Sequence, residues 1–229
     1  MQIKKMPITK PAFTLAEVLI ALVIIGIIAT ITVHTLYVHY AKKSTIVQLQ
    51  KAYVEIQNAL RYSELQHGSM SSWNFSNATN NFYEKGYLTN NIDVIHYCDE
   101  TDASDTCWAT TYTLQNTIAF KNNGKGYHRF ITKSGYSVLY WISASGTNGH
   151  VIIDIDGPKG QNKYGKDVFR FGMYFRNNSI IPGVYPFNLY TPDTTRESIT
   201  NNCNKTTTGM TCSALLVYDG WKFSNDYPW

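Results

Sequence analysis

The sequence predicts an α+β protein in which a long N-terminal helix packs on an antiparallel β-sheet domain. Two observations lead to this fold class. Residues 13–68 pass without a break from an apolar run into an amphipathic pattern that stops at Gly68. Later segments are short, rich in β-branched and aromatic residues, and separated by glycine-containing turns. We therefore expect the helix in residues 13–68 and a globular β-rich domain in residues 69–229.

The apolar half of the helix is residues 13–33, FTLAEVLIALVIIGIIATITV. A helix of that length extends about 30 Å, which matches the hydrocarbon thickness of a bilayer. Its one charged residue is Glu17. An unpaired carboxylate inside an apolar span costs at least ~2.5 kcal/mol, so this residue needs a partner.

The amphipathic half, residues 34–68, repeats apolar or small residues every three to four positions, with charged and amide side chains between them. Such a stripe predicts one helix face that packs on a sheet. Its members are Val38, Ala41, Thr45, Leu49, Ala52 or Tyr53, Ile56, Leu60 and Ser63.

Strand patterns follow a loop region that we expect over residues 69–91. Short glycine-containing links between the strands favour hairpins, and therefore an antiparallel meander. From Ile180 the chain is proline-rich and is predicted to be irregular until Ser213–Phe223. The predicted strands are Tyr112–Phe120, Tyr127–Lys133, Ser137–Ala144, His150–Ile155 and Val168–Phe175.

At the N-terminus a short basic segment, MQIKKMPITKPA, ends in a small residue and is followed by FTLAEV and the apolar run. This arrangement resembles the type IV pilin and type II secretion pseudopilin family. The resemblance implies a type IV pilin-like fold and a leader, residues 1–12, that a prepilin peptidase cuts after Ala12. It also implies that Phe13 becomes the N-methylated first residue and that Glu17 is the family's glutamate. Ala12 stands where the family usually has glycine.

Cleavage offers Glu17 a partner. The new α-ammonium of Phe13 and the Glu17 carboxylate of a neighbouring subunit could neutralise each other in a helical bundle, where each alone would be costly to bury. We therefore expect a pilin or pseudopilin that polymerises through its helix, with copies of itself and other pilin-like subunits as partners. The resemblance places it in the bacterial inner membrane as a single-pass protein, and then in a periplasmic or extracellular filament.

A rival function is a monomeric, membrane-anchored binding module for glycan or DNA. The 17 tyrosines and 5 tryptophans could supply stacking surfaces, although such residues are more often core and interface residues. Removing the three leader lysines lowers the formal charge from +4 to +1, which gives nucleic-acid binding no support. DNA and a secreted substrate remain candidate partners through the resemblance alone.

No enzyme, small-molecule substrate or required cofactor is expected. The six histidines are scattered, and nucleophile-elbow, P-loop and dinucleotide-binding glycine patterns do not occur in the sequence.

Four cysteines form two local pairs, Cys98 with Cys107 and Cys203 with Cys212. Neither pair has metal-binding spacing, and an exported protein favours disulfides. The local pairing is preferred among three connectivities. A short disulfide loop stabilises by about 2–3 kcal/mol in the chain-entropy estimate.

The loop DIDGPKGQNKYGKD collects Asp154, Asp156, Asn162 and Asp167 around three glycines. Several oxygen ligands on a flexible loop are what Ca²⁺ requires, although the spacing is not that of an EF-hand. Some pilins and pseudopilins carry Ca²⁺ in a β-region loop, so the resemblance adds to this hypothesis. The alternative is a solvated turn in which Asp and Asn side chains accept hydrogen bonds from backbone amides.

Overall fold

The computed structural model describes residues 13–73, 86–98, 107–120, 127–143, 145–176, 181–189 and 194–229. The predicted leader, including Ala12, lies outside these residues. The chain divides into two compact units, one ending at Lys43 and one running from Ser44 to Trp229.

The first helix, α1, is continuous from Leu15 to His67. It ends where Gly68 adopts a φ of +80° and donates its amide to the Glu64 carbonyl at 2.9 Å. A glycine in this left-handed conformation is a common helix stop, because a side chain there would be strained.

Within the second unit, α1 buries one face. The buried side chains recur every three or four residues, as an amphipathic helix on a sheet requires. Most of the stripe that the sequence predicts for residues 45–63 is in this set. Its members are Thr45, Leu49, Ala52, Ile56, Ala59, Leu60 and Ser63.

The predicted antiparallel meander is confirmed in a six-stranded sheet. The strands are β1 (Val94–Cys98), β4 (His128–Thr132), β5 (Ser137–Ile142), β6 (Asn148–Asp154), β8 (Val168–Tyr174) and β9 (Gly183–Pro186). They follow one another across the sheet in this order, and every neighbouring pair is antiparallel.

A smaller three-stranded sheet, in the order β3-β2-β7, consists of β2 (Thr111–Tyr112), β3 (Ile118–Phe120) and β7 (Asn162–Lys163). The predicted single strand 112–120 is wrong, because a turn splits it. The turn is closed by the Thr113 amide, which donates to the Thr117 carbonyl at 2.8 Å. β2 also pairs with β7 in parallel, which a pure hairpin scheme does not provide.

The central strands of the six-stranded sheet, β5, β6 and β8, are buried on both faces. Val138 and Tyr140 of β5 belong to the core cluster that includes the helix residues, whereas Leu139 belongs to a second cluster with Trp108 and Tyr164. Alternate side chains of a strand point to opposite faces, so α1 covers one face and the region of the small sheet covers the other. Fully burying one such side chain stabilises by about 1.5–3 kcal/mol.

The segment predicted to be irregular contains an edge strand and a helix. Tyr53 of α1 stacks on Phe171 at 4.9 Å, and its hydroxyl donates to the Val184 carbonyl of β9 at 3.0 Å. Beyond β9, α2 spans Arg196–Asn202, and α3 spans Cys212–Tyr218. The Thr195 hydroxyl caps α2 by accepting the Ser198 amide at 3.2 Å.

Candidate functional site

Glu17 closes a capping box at the start of α1. Its carboxylate accepts the Thr14 amide at 2.8 Å and the Thr14 hydroxyl at 2.9 Å. In return, the Thr14 hydroxyl accepts the Glu17 amide at 3.2 Å. This reciprocal arrangement satisfies donors that a helix N-terminus leaves unpaired. Within a single subunit, Glu17 therefore has local partners.

The first part of α1 is exposed and apolar. Phe13 is 86 % exposed, and no described side chain from Phe13 to Lys43 is buried. The hydroxyls of Thr30 and Thr32 donate to the Ile27 carbonyl at 2.8 Å and the Ile28 carbonyl at 2.9 Å. Because a bilayer core offers no hydrogen-bond partners, such internal bonds suit an apolar surrounding. Among the described residues, α1 is the helix long and apolar enough to cross a membrane.

The structure joins the cysteines in the two local pairs. Cys98 bonds Cys107 with an S–S distance of 2.12 Å, and Cys203 bonds Cys212 at 2.01 Å. His96 lies with the first pair in a group whose candidate ligand atoms are within 4.8 Å of one another. Metal binding by cysteine requires thiolates, which a disulfide does not offer. This group is therefore no zinc site.

The acidic loop brings two predicted oxygen ligands into direct contact. Asp154 ends β6 and Asn162 begins β7, and Nδ2 of the Asn162 side chain donates to Asp154 Oδ2 at 2.7 Å. Asp167 instead accepts the Lys163 amide, as the turn alternative predicts. Asp156 is exposed. The loop thus combines a capped turn with a buried polar pair.

The two side chains of this pair and that of Ser137 each have a buried oxygen atom without a hydrogen-bond partner. Asp154, Asn162 and Ser137 are each 0 % exposed. Asp154 Oδ1, Asn162 Oδ1 and Ser137 Oγ have no hydrogen-bond partner. Ser137 on β5 lies directly opposite Asp154 on β6 in the strand register, which puts the two side chains on one face of the sheet. Unpaired buried oxygens are costly, and a cation or a water would satisfy them.

Burial dominates the electrostatics of the loop. Burial and the neighbouring Asp156 carboxyl raise the pKa of Asp154 to about 10. Burial also raises the pKa of Asp167 to about 6, with a further contribution from the charge of Asp156. A low-dielectric site disfavours the carboxylate form unless a positive charge compensates it. The donor set matches Ca²⁺ in ligand type, because each of these side chains offers oxygen.

The three carboxylates are nevertheless more widely spread than a closed coordination shell. Among the described residues, His96, Cys98 and Cys107 form the group in which three His, Cys, Asp or Glu residues have ligand atoms within 4.8 Å of one another. The three aspartates do not form such a group. The wider spacing of Asp154, Asp156 and Asp167 accords with the repulsion between like charges.

Two family models match the chain. One, described as the prokaryotic N-terminal methylation motif, matches residues 10–33. The other, described as a family of unknown function (DUF6613), matches residues 35–229. The chain belongs to this DUF6613 family. The methylation motif covers Phe13 and Glu17, so the suspected relation to type IV pilins is confirmed, and the motif indicates a pilin-like or pseudopilin subunit. Searches of curated proteins and of solved structures gave no match.

The motif has consequences for processing and location. It implies cleavage by a prepilin peptidase and assembly with other pilin-like subunits. Together with the apolar α1 it indicates membrane anchoring. Proteins of the pilin-like family are typically structural and not enzymes.

Sequence reasoning missed two residues of these sites. Thr14 could have been found, because the spacing Thr-x-x-Glu before an apolar run is a capping-box pattern. Ser137 could not, since its relation to Asp154 depends on the register of two strands, and the intervening chain does not reveal that register.

Proposed function

We propose that the pilin-like chain is a structural subunit that polymerises through the first part of α1 into a type IV pilus or a type II secretion pseudopilus. The observation that carries the proposal is the surface of residues 13–36. Its large apolar side chains are exposed in the single subunit, and the carboxylate of Glu17 lies at the N-terminal end of the same helix. Packing such helices against one another removes apolar surface from water or lipid and leaves Glu17 as the group that needs a cationic partner.

In this proposal the subunit begins as a single-pass protein of the bacterial inner membrane. A prepilin peptidase cuts after Ala12, and the new amino terminus at Phe13 is methylated. The Phe13 ammonium of one subunit then lies near Glu17 of another, where each charge offsets the cost of burying the other. Mass spectrometry of the native protein tests the processing. We expect a chain without residues 1–12 that carries one added methyl group, and an intact leader would contradict the proposal.

Substitution of Glu17 tests assembly. We expect Glu17→Ala to leave membrane insertion intact and to abolish or strongly reduce filaments, which immunogold electron microscopy would count. Glu55→Ala, which removes a carboxylate from the amphipathic half of the same helix, is the control. Filaments of normal number and length from Glu17→Ala would overturn the proposal.

The rival, a monomeric anchored module that binds glycan or DNA, finds less support. A stacking platform in the globular domain needs exposed rings there, whereas Trp73 and Trp108 are 2 % and 1 % exposed. Among the described residues, the tyrosines that are more than half exposed, Tyr37, Tyr40 and Tyr62, lie on α1. Trp73 stacks on Tyr87 at 4.1 Å inside the core. Labelling of the native cell surface separates the two functions, because a monomeric module would give dispersed label and no labelled filaments.

A second proposal assigns a Ca²⁺ site to Asp154, Asp156, Asn162 and Asp167, with Ser137 as an additional oxygen. The unpaired atoms of Asp154, Asn162 and Ser137 support it. Bound Ca²⁺ would supply the positive charge that the buried carboxyl lacks. The chain's own residues contribute oxygens from two adjacent strands and from the loop that follows β6.

Calorimetric titration of the full chain in detergent micelles with CaCl₂ tests this site. We expect a saturable heat and a Ca²⁺-dependent rise in melting temperature for the unaltered chain, and loss of both in Asp154→Asn. Asp93→Asn, at an exposed carboxyl outside the loop, should behave like the unaltered chain. Absence of both signals from the unaltered chain would refute the Ca²⁺ site without affecting the filament proposal.

A further inference from the structure

The candidate cation ligands come from two parts of the chain. Asp154 and Asp156 lie at the end of β6 and in the turn that follows it. Asn162 and Asp167 lie on a second segment, residues 162–167, which begins with β7 and ends just before β8. Any cation held by all four side chains would therefore connect this segment to the end of β6.

The segment 162–167 is held in place by the C-terminal region. The Tyr227 hydroxyl donates to the Gly165 carbonyl at 2.6 Å, and this hydrogen bond is buried. Tyr227 itself is 5 % exposed, so water cannot easily replace the Gly165 carbonyl as the acceptor for its hydroxyl. The bond fixes the backbone midway between the two candidate ligands of the segment.

The Cys203–Cys212 disulfide packs against the same glycine. A Cβ atom placed on Gly165 would lie 3.0 Å from Cys212 Sγ and 3.2 Å from Cys212 Cβ, and Gly165 has a φ of +77°. A side chain at this position would strain the backbone and would force the sulfur to shift by a few tenths of an ångström, so the contact favours glycine. The disulfide thus forms one wall of the segment.

The disulfide is itself anchored in the domain. Cys212 begins α3, whose Leu215 and Leu216 are fully buried in the main core. The next residue, Ser213, donates its hydroxyl to the Arg170 carbonyl of β8 at 2.5 Å. These contacts fix the position of the disulfide against Gly165. A movement of the disulfide would therefore shift the backbone that carries Asn162 and Asp167.

Resting on the proposed Ca²⁺ site, we infer that Tyr227 and the Cys203–Cys212 disulfide are positioning residues for its Asn162–Asp167 half, so that cation binding and this disulfide stabilise one another. The coupling is reciprocal by thermodynamic linkage. If the C-terminal contacts raise the affinity for the cation, the cation must stabilise those contacts by the same factor.

The first test compares Ca²⁺ affinity in two tyrosine variants of the full chain in detergent. Tyr227→Phe keeps the buried ring and removes the hydrogen bond to Gly165. We expect about fivefold weaker Ca²⁺ binding by calorimetry, as the loss of one hydrogen bond implies. Tyr218→Phe, at a half-exposed tyrosine in the same region, is the control and should bind Ca²⁺ like the unaltered chain.

The second test measures the reverse direction and does not depend on a variant that folds. The chain is treated with a phosphine reductant, with CaCl₂ or with MgCl₂, and free thiols are alkylated and assigned by mass spectrometry. We expect Ca²⁺ to slow reduction of Cys203–Cys212 several-fold and to slow reduction of Cys98–Cys107 much less. Both disulfides have a sequence separation of 9, so Cys98–Cys107 serves as an internal control for a general stabilisation of the protein.

The outcomes separate the two proposals. If the unaltered chain binds no Ca²⁺, the cation site and this inference both fail. If it binds Ca²⁺, but Tyr227→Phe binds equally well and both disulfides are protected equally, the site stands and the coupling is refuted.

Discussion

The two halves of α1, divided here between Lys43 and Ser44, share one continuous backbone and differ in what surrounds their side chains. From Phe13 to Lys43 no described side chain is buried, whereas the part from Ser44 to His67 buries seven. The second half gains its stability from the sheet of its own chain. The described residues of the first half have no buried side chain, and an apolar surface of this kind suits lipid or the helices of other subunits.

Polar groups in the two halves follow the same division. Thr30 and Thr32 bond to carbonyls of their own helix. The Ser63 hydroxyl, by contrast, donates to the Tyr87 carbonyl and accepts a hydrogen bond from Nδ2 of the Asn91 side chain at 2.9 Å, and both partners lie outside the helix. A segment that satisfies its own polar groups can exchange lipid for protein neighbours at little cost. A segment bonded to distant residues is fixed in one fold.

The largest expected difference between the halves is in unfolding. Ile56→Ala should lower the free energy of unfolding of the globular unit by about 2–5 kcal/mol, because Ile56 is fully buried and truncation leaves a cavity. Ile24→Ala, at an exposed position, should leave that free energy unchanged. Chemical denaturation followed by tryptophan fluorescence measures the free energy of unfolding of both variants. Equal effects would contradict the claim that only the second half packs on the globular unit.

A smaller effect distinguishes the role of Glu17 in capping the helix from its role in filament assembly. Thr14→Ala removes the hydroxyl of the capping box and keeps the carboxylate, so we expect about 1 kcal/mol less stability at the start of the helix and filaments in normal number. Glu17→Gln should reduce filaments far more than Thr14→Ala does. Hydrogen exchange of the first helical turn and filament counts measure the two effects. Equal filament loss in both variants would show that Glu17 acts only as a cap.

A third effect is a pH dependence in the globular unit. Burial and the charge of Arg170 lower the pKa of His150 to about 4 from an ordinary 6.5. A lowered folded-state pKa means that the unfolded chain binds the proton more readily, so this contribution to stability is present above about pH 6.5 and is lost as the pH falls toward 4. His150→Phe should therefore show a shallower fall in melting temperature over this range.

The histidine prediction has its own control. Phe can keep the ring contacts that His150 makes with Trp141 and Phe187, and His67→Phe changes an exposed histidine instead. Parallel pH profiles for the unaltered chain and His150→Phe would contradict the assignment.

Helix features were predictable because they are local. The apolar run, the stripe that includes Leu49 and Ile56, and the stop at Gly68 all depend on residues within one or two turns of each other. The same holds for the four cysteines, whose close spacing favoured the pairs that the structure contains. The edge strand β9 was missed since its Gly and Pro residues disfavour a strand, and its pairing partner β8 supplies the stability that its own composition lacks.

The sequence by itself determined the long helix, the glutamate at its start and the relation to pilin-like proteins, because short-range patterns encode them. Only the tertiary structure decided what the loop after β6 can do. Strand register places Ser137 opposite Asp154, and the C-terminal fold brings Tyr227 and Cys212 against Gly165. Contacts between residues far apart in the chain depend on pairing and packing, and local composition does not specify them.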